Sequence, residues 1–181
     1  MEYKGIAISG LPGSGKTTLA KEISEIYGWS VFSIGQLWRE KWRSLYPNGE
    51  VSFEDFWRNT SLRDNLGLNL KAREDFREGG VIIDTRYAIF LKDLQYLMIF
   101  VMADISTRAK RLLKDKKYGD KTLGEIKDVL IARERDELAI GKQLVNDDYD
   151  YRKAINYHTV LDSGLLTVEQ EVKIVRTLME S

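Results

Sequence analysis

Short apolar runs alternate with longer amphipathic stretches along this chain, and the alternation predicts an α/β fold. Five runs have the length and composition of buried strands, at 5–9, 29–33, 81–84, 96–102 and 159–162. In the stretches between them, apolar residues recur at the spacing of helices that cover a sheet. Because strands that alternate with helices pair in parallel, we expect a five-stranded parallel sheet flanked by helices.

Several of the predicted helices begin at residues that can cap them. Ser52 and Thr122 each precede an acidic residue three positions later, which is the spacing of a capping box. Ser106 can cap a helix that carries Arg108 and Arg111. From residue 53 onward, helices are predicted at 53–59, 62–77, 106–111, 123–142, 147–157 and 167–179.

The first predicted strand leads into residues 10–17 (GLPGSGKT), which fit the pattern G-x-x-x-x-G-K-[ST] without a mismatch. An amphipathic helix follows and should end at Gly28. Backbone N–H groups of such a loop form a nest for phosphate, with the positive end of the helix dipole behind it. Lys16 can reach the β- and γ-phosphates, and the hydroxyl of Thr17 can ligate Mg²⁺. The predicted triphosphate-binding residues are Gly10, Gly13, Ser14, Gly15, Lys16, Thr17 and Thr18.

Polar residues follow the second and third predicted strands, where an open parallel sheet binds its ligands. Asp84 and Arg86 come directly after strand three; an acid there can hold Mg²⁺ through water, and an arginine can bind a second phosphate. Ser33 and Arg39 flank the end of strand two. The alternatives are a surface salt bridge for the first pair, and a helix cap and a solvated arginine for the second.

Two pairs of cations flank the charged segment 114–121, which contains a glycine and is predicted to be a mobile loop. Arg108 and Arg111 are three residues apart and share a helix face. Arg135 and Lys142 are seven apart, two full turns, and share another. Each could instead be a solvated surface residue. Together they predict a lid that closes over phosphates, because phosphoryl transfer depends on positive charge and on exclusion of water.

The second lid helix carries one further arginine. Arg133 lies about 200° around the helix from Arg135, so both can point into one site only if the helix starts or bends between them. We favour Arg135. Without ligand, the lid cations should repel one another and hold the lid open.

Composition narrows the range of functions. With 28 basic and 28 acidic residues among 181, the chain has no excess of charge that would favour nucleic acid or an acidic membrane. It has no cysteine, and its single histidine, His158, is expected to pack or to cap rather than to catalyse. No apolar run approaches a membrane span, and no signal peptide is expected before the first strand. We therefore expect a single-domain, monomeric, cytoplasmic enzyme with no nucleic-acid or membrane partner.

The order of these motifs resembles the nucleoside monophosphate kinases, and within them the short archaeal cytidylate kinases. The resemblance rests on the phosphate loop, on residues 33–39 (SIGQLWR), on residues 84–86 (DTR), and on residues 108–111 and 132–137 of the lid. It implies a P-loop NTPase fold with a monophosphate-binding insert at about 33–77 and a lid at about 111–142. It also implies ATP and Mg²⁺ as co-substrates and a nucleoside monophosphate as acceptor.

The resemblance also implies roles for individual residues. Arg39 and Arg86 would hold the acceptor's phosphate, beside Ser33 and Asp84. Arg108 would lie against the base of ATP. The transferring phosphoryl group would be surrounded by Lys16, Arg111, Arg135 and Lys142, with Mg²⁺ held by Thr17 and, through water, by Asp84.

The chain departs from the family pattern at Gln36, at residues 69–71 (NLK), at Thr85 and at Leu138. Because the triphosphate motif is complete, these departures bear on the acceptor, for which CMP or dCMP is the expectation. A kinase for another nucleotide or small hydroxylated metabolite is one alternative. A nucleotide-binding regulatory protein that hydrolyses ATP slowly is another, although such a protein would not need the cations that an acceptor phosphate requires.

Overall fold

A computed structural model describes residues 3–115, 118 and 120–181 of the chain. The strands are Gly5–Gly10 (β1), Ser30–Ser33 (β2), Val81–Asp84 (β3), Tyr96–Met102 (β4) and Thr159–Asp162 (β5). The helices are Lys16–Tyr27 (α1), Ile34–Leu45 (α2), Phe53–Arg58 (α3), Leu62–Asp75 (α4), Ile105–Leu112 (α5), Leu123–Leu144 (α6) and Val168–Met179 (α7), with 3-10 turns at Ala88–Leu91 and Ala154–Asn156. All strand pairs are parallel, in the order β2-β3-β1-β4-β5, which confirms the predicted sheet.

The sheet is covered on both faces because its central strands are apolar throughout. Ile6 and Ile8 of β1 pack with Leu19 and Ile23 of α1. Ala7, which points to the other face, packs in a second cluster with side chains of β3, β4 and the first 3-10 turn. Successive side chains of a strand alternate between faces, so β1 is buried over its whole length. The end of β1 is therefore held rigidly, and the phosphate loop starts from that end.

Glycine is required where β1 passes into the phosphate loop. Gly10 has a φ of 148°, and a Cβ placed on it would lie 2.0 Å from the carbonyl oxygen of Val101 in β4. Gly15, at the start of α1, has a φ of 96°. α1 then ends at Gly28 in the left-handed conformation, as its position predicts.

The start of α5 differs from the prediction. Asp104, rather than Ser106, caps this helix, and its side chain accepts a hydrogen bond from the backbone N–H of Thr107 at 2.9 Å. Ser106 lies inside the first turn. The capping box predicted at Thr122 is present. At Ser52, where a capping box was also predicted, the serine side chain caps α3 by accepting the N–H of Asp55, without the reciprocal bond of a box.

The helix predicted at 147–157 is absent, since this stretch forms turns that end in the second 3-10 turn. The side chain of Asn146 accepts the N–H of Asp148, and that of Asp150 accepts the N–H of Arg152. Asn and Asp side chains that bind nearby N–H groups in this way compete with helix formation. The loop predicted at 114–121 includes residues 116, 117 and 119, which lie outside the described residues.

Helices α2, α3 and α4 occupy the region where the monophosphate-binding insert is expected. Their core is aromatic: Trp38 of α2 makes edge contacts with Phe56 and Trp57 of α3, at ring-centroid distances of 6.0 and 5.5 Å. Phe53 and Leu68 complete the cluster. In the described part of the chain, no helix has both the length and the apolar character that crossing a membrane demands.

Candidate active site

A cavity of about 610 Å³ lies where the ends of β1 and β3 meet the start of α1. Its wall is formed by the phosphate loop, by the residues after β3, and by side chains of α2, α3, α4 and α6. The predicted site residues on this wall are Gly13, Gly15, Lys16, Thr17, Thr18, Arg39, Asp84 and Arg86. The carboxyl edge of an open parallel sheet is where ligands bind, so this cavity is the candidate active site.

Lys16 is buried at the cavity wall, with only 7% of its surface exposed. Its Nζ donates a hydrogen bond to the carbonyl oxygen of Leu11 at 2.8 Å. Burial, together with the charge of Arg86, lowers the pKa of Lys16 to about 7, against the opposing effect of Asp84. The partner of the amino group is thus a neutral carbonyl oxygen, and a charged phosphate would be a far stronger one.

We expect ATP to bind at about pH 8.5 with uptake of close to one proton. Phosphate charge beside Lys16 should raise its pKa from about 7 to above that pH, so the amine, neutral before ATP binds, becomes charged. Calorimetric titration in two buffers of different ionisation enthalpy measures the proton. Lys16→Met should abolish the buffer dependence, and Lys21→Met, on the exposed side of α1, should retain it. Equal buffer dependence in both variants would contradict the assignment of the proton.

The same shift affects stability without ligand. The pKa of Lys16 in the folded protein, about 7, lies below the ordinary lysine value of 10.5. Between these two values the unfolded chain binds a proton that the folded protein has released. This residue therefore makes the free energy of unfolding increase with pH over that range.

Asp84 and Thr17 lie on the same wall and offer oxygen atoms to it. Ser33, which caps α2, donates from Oγ to Oδ2 of Asp84 at 3.1 Å and accepts the N–H of Gln36 at 3.3 Å. Residues 3–115, 118 and 120–181 contain no cluster of three or more acidic or histidine side chains that could cage a metal. Mg²⁺ in phosphoryl-transfer sites needs no such cage, because phosphates and waters fill most of its positions. A hydroxyl and an acid on the cavity wall fit that mode of binding.

Arg86 is held by an ion pair that crosses the cavity to α6. Its Nε lies 2.8 Å from Oε2 of Glu137, and the two side chains are 18% and 5% exposed. Tyr151 donates to the same carboxylate at 3.1 Å, and Tyr87 donates to the carbonyl oxygen of Glu137 at 2.8 Å. Although burial favours the neutral acid, the charges of Arg86 and Arg133 outweigh it and hold the pKa of Glu137 below its usual value. Glu137 is therefore a buried, ionised carboxylate beside the expected phosphate site.

The choice between the two arginines of α6 was wrong. Arg133 lines the cavity and lies 3.7 Å from Glu137, with 24% of its side chain exposed. Arg135, which we expected at the site, has 76% of its side chain in solvent. Lys142 is exposed as well and lies outside the cavity wall. The helix does not bend between 133 and 135, so one of the two arginines has to point away.

Three acids of α6 pair with arginines of three other segments, and the expected repulsion among cations did not take these acids into account. Glu134 lies 2.7 Å from Arg108 of α5, and Asp136 lies 2.8 Å from Arg58 of α3. Glu137 pairs with Arg86, which follows β3. Helix α6 is thus tied to α5, to α3 and to the segment after β3.

Arg108 and Arg111 brace the phosphate loop instead of facing the cavity. Arg108 is buried and donates to the carbonyl oxygens of Ala103 and Pro12, at 2.9 and 3.2 Å. Arg111 donates to the carbonyl oxygens of Ser14 and Ser163, at 3.2 and 2.7 Å. In this structure their donors therefore bind main-chain oxygens and the side chains of Glu134 and Ser163, whereas the resemblance places these arginines on ATP.

The far end of the cavity is aromatic, with Trp38, Phe53 and Trp57 on its wall. Phe53 and Trp57 stack at 6.5 Å with an interplanar angle of 23°. Two buried asparagines, Asn65 and Asn69, lie on the same wall. Asn65 and Glu137 were not predicted as site residues: Asn65 belongs to no local motif, and in the segment 132–137, which ends at Glu137, only the arginines were considered.

A phosphate loop between the first strand and first helix of a five-stranded parallel sheet, with cations around a cavity at the strand ends, defines a P-loop kinase. The family model AAA_17, described as an AAA domain, matches residues 9–127, more than half of the chain. The chain belongs to this family.

Comparison with known proteins confirms the resemblance to archaeal cytidylate kinases. The cytidylate kinase of Pyrobaculum islandicum is 28% identical, over 93% of this chain and 89% of that protein. The cytidylate kinase of Methanopyrus kandleri is 27% identical, over 97% and 92%. Among solved structures, shikimate kinase from Bacteroides thetaiotaomicron superposes with a TM-score of 0.63 at 17% identity, covering 97% of this chain and 98% of that one. At that identity the solved structure shows a shared fold.

Proposed function

We propose that this protein transfers the γ-phosphoryl group of ATP to a nucleoside monophosphate, and that CMP or dCMP is its acceptor. The observation that carries the proposal is the cavity itself, whose wall includes the phosphate loop, aromatic side chains and several arginines. Aromatic walls suit a flat base, and guanidinium groups suit its phosphate. Relatives named cytidylate kinase, similar over nearly the whole chain, support the same acceptor.

On the donor side, the backbone N–H groups of the loop and Lys16 bind the β- and γ-phosphates of ATP. Thr17 and, through water, Asp84 hold Mg²⁺, which when bound neutralises charge on the phosphate oxygens. Arg108 and Arg111 keep the loop in place through its carbonyl oxygens. Because these arginines bind carbonyl oxygens of the loop, the N–H groups of the loop stay available for the phosphates of ATP.

On the acceptor side, Arg39 and Arg86 hold the monophosphate, and Arg133 meets the transferring group from α6. An oxygen of the acceptor's phosphate attacks the γ-phosphorus, and the bond from that phosphorus to the β-γ bridging oxygen breaks, so ADP leaves. The attacking oxygen is already an anion at neutral pH, so no side chain has to remove a proton. The residues therefore act by position and charge.

A panel of acceptors tests the proposal. Purified protein is mixed with ATP–Mg²⁺ and with CMP, dCMP, UMP, AMP, GMP, shikimate, gluconate or no acceptor, and ADP release is followed. We expect CMP or dCMP to have the highest kcat/KM, and the rate without acceptor to be at least about a hundred-fold lower because water meets an incomplete site. The best rate with shikimate or gluconate would show a metabolite kinase, and equal rates with and without acceptor would show an ATPase.

A further inference from the structure

Two asparagines of α4 face the aromatic end of the cavity, one helical turn apart. Asn65 and Asn69 are 1% and 3% exposed, and both lie on the cavity wall. Buried amide groups form hydrogen bonds in native proteins. An amide on a cavity wall therefore either satisfies its hydrogen bonds within the protein or keeps one for a ligand.

Asn69 uses both ends of its amide within the protein. Its Nδ2 donates to the carbonyl oxygen of Asn65 at 2.8 Å, and its Oδ1 accepts from the hydroxyl of Thr85 at 3.1 Å. Thr85 Oγ1 in turn accepts the N–H of Tyr87 at 3.1 Å, so its proton is directed to Asn69. Both polar atoms of this amide therefore have a partner within the protein, and this asparagine holds the chain that follows β3.

Asn65 uses only its nitrogen. Its Nδ2 donates to Oγ1 of Thr60 at 2.9 Å and to the carbonyl oxygen of Ser61 at 3.2 Å. Thr60 gives its own proton to the carbonyl oxygen of Trp57 at 2.7 Å, so toward Asn65 it can only accept. A flipped amide would place its oxygen against two acceptors. The orientation of Asn65 is thus fixed, and within the described ranges no donor bonds to its Oδ1.

We propose that Oδ1 of Asn65 reads the base of the acceptor and selects a base with an amino group over its oxo counterpart. The inference rests on the proposed function, since it names the group that would distinguish CMP from UMP. The 4-amino group of cytosine donates a hydrogen bond to this oxygen. In uracil an oxygen takes that place, and two buried acceptors would face each other without a proton between them.

A buried donor without a partner belongs to a side chain of the same wall. Trp38 is 1% exposed and lines the cavity, and its Nε1 has no acceptor among the described residues. In cytosine the ring nitrogen next to the amino group is an acceptor, whereas in uracil that nitrogen carries a proton. The same contrast holds between adenine and hypoxanthine, so the shared chemistry is an amino group beside an unprotonated ring nitrogen.

Substrate pairs that differ only in this edge test the inference. We expect kcat/KM to favour CMP over UMP by at least about a hundred-fold. A preference for AMP over IMP, with CMP poorly used, would support the readout and identify adenine as the base. Equal kcat/KM for CMP and UMP, and also for AMP and IMP, would overturn the proposed recognition of the amino group, while phosphoryl transfer to nucleoside monophosphates would still stand. If transfer is absent, the proposed function fails, and equilibrium binding of CMP against UMP and of AMP against IMP then decides the readout in the same way.

Variants separate reading of the base from a structural role. Asn65→Ala should lower kcat/KM for CMP about a hundred-fold and change that for UMP less than about three-fold. Asn59→Ala, on the exposed end of α3, is the matched control and should change neither. An equal loss with CMP and UMP in Asn65→Ala would show that the residue only supports the fold.

Thr60 provides a test that leaves Asn65 in place. Thr60→Val removes the hydroxyl that fixes the amide of Asn65, so the ratio of kcat/KM for CMP to that for UMP should decrease about ten-fold. Thr60→Ser keeps the hydroxyl, so this ratio should not change. Identical preferences in these two variants would overturn the orientation argument.

Discussion

Replacing Lys16 with Met should lower the rate of phosphoryl transfer by at least about a thousand-fold and leave the fold intact. The charge of this residue is needed mainly where phosphate charge shifts in the transition state. Met has a similar length and no charge, and burial already lowers the pKa of Lys16 to about 7. At neutral pH the substitution therefore removes a group that the folded protein holds at a cost, and the free energy of unfolding should not decrease.

The measurement is kcat with ATP and the best acceptor, with circular dichroism and thermal unfolding as checks on the fold. Lys21→Met removes the same charge from the exposed side of α1 and should keep full activity. Activity of Lys16→Met within a few-fold of the parent would disprove the assignment of the phosphate loop.

Arg86→Ala should damage both activity and stability, for two different reasons. Loss of the guanidinium removes a contact to the acceptor's phosphate, so KM for the acceptor should increase and kcat should decrease, while ATP binding alone changes little. The substitution also leaves the carboxylate of Glu137 buried, with Arg133 at 3.7 Å as its remaining cation. Breaking a buried ion pair costs about 3 kcal/mol, so the free energy of unfolding should decrease by roughly that amount.

The double variant Arg86→Ala/Glu137→Gln separates these effects. A neutral amide in place of Glu137 no longer needs a cation, so most of the lost stability should return while the acceptor KM stays high. Chemical unfolding and steady-state kinetics measure the two quantities on the same samples. If the single variant weakens ATP binding as much as acceptor binding, Arg86 belongs to the donor side.

The sequence allowed the sheet and the phosphate loop to be predicted because both are encoded locally. A run such as 96–102 is apolar at nearly every position, and residues 10–17 carry the glycines and the lysine of one known pattern. The predicted helix at 147–157 failed because Asn and Asp side chains bound the backbone N–H groups that a helix would have used. Helix propensity alone does not show whether such side chains bind the backbone N–H groups or leave them to a helix.

The wrong choice of arginine on α6 was avoidable. Ile126 and Leu130 are the buried apolar residues of this helix. Seven residues after Ile126, Arg133 lies within about 20° of it around the helix axis, whereas Arg135 lies about 180° away. The apolar stripe therefore indicated which arginine faces inward.

Other features of the site depend on contacts between distant parts of the chain. Glu137 pairs with Arg86 across 51 residues, and Thr85 bonds to Asn69 across 16. The departures from the family pattern at Thr85 and at 69–71 are thus in contact, since the hydroxyl of Thr85 donates a hydrogen bond to the amide oxygen of Asn69. A single sequence shows two departures and cannot show that they touch.

The ion pairs that hold α6 lie closer to its carboxyl end than to its amino end. The paired acids Glu134, Asp136 and Glu137 lie past the middle of Leu123–Leu144, and about 16 Å of helix precedes them. Beyond them, a Cβ placed on Gly141 would lie 3.0 Å from the ring of Tyr87, so that end of the helix is tightly packed. A rotation of α6 by about 10° around these ion pairs would carry its amino end through about 3 Å. A phosphate that bound Arg86 would compete with Glu137, one of these three acids, and α6 would then be held there by the pairs of Glu134 with Arg108 and of Asp136 with Arg58.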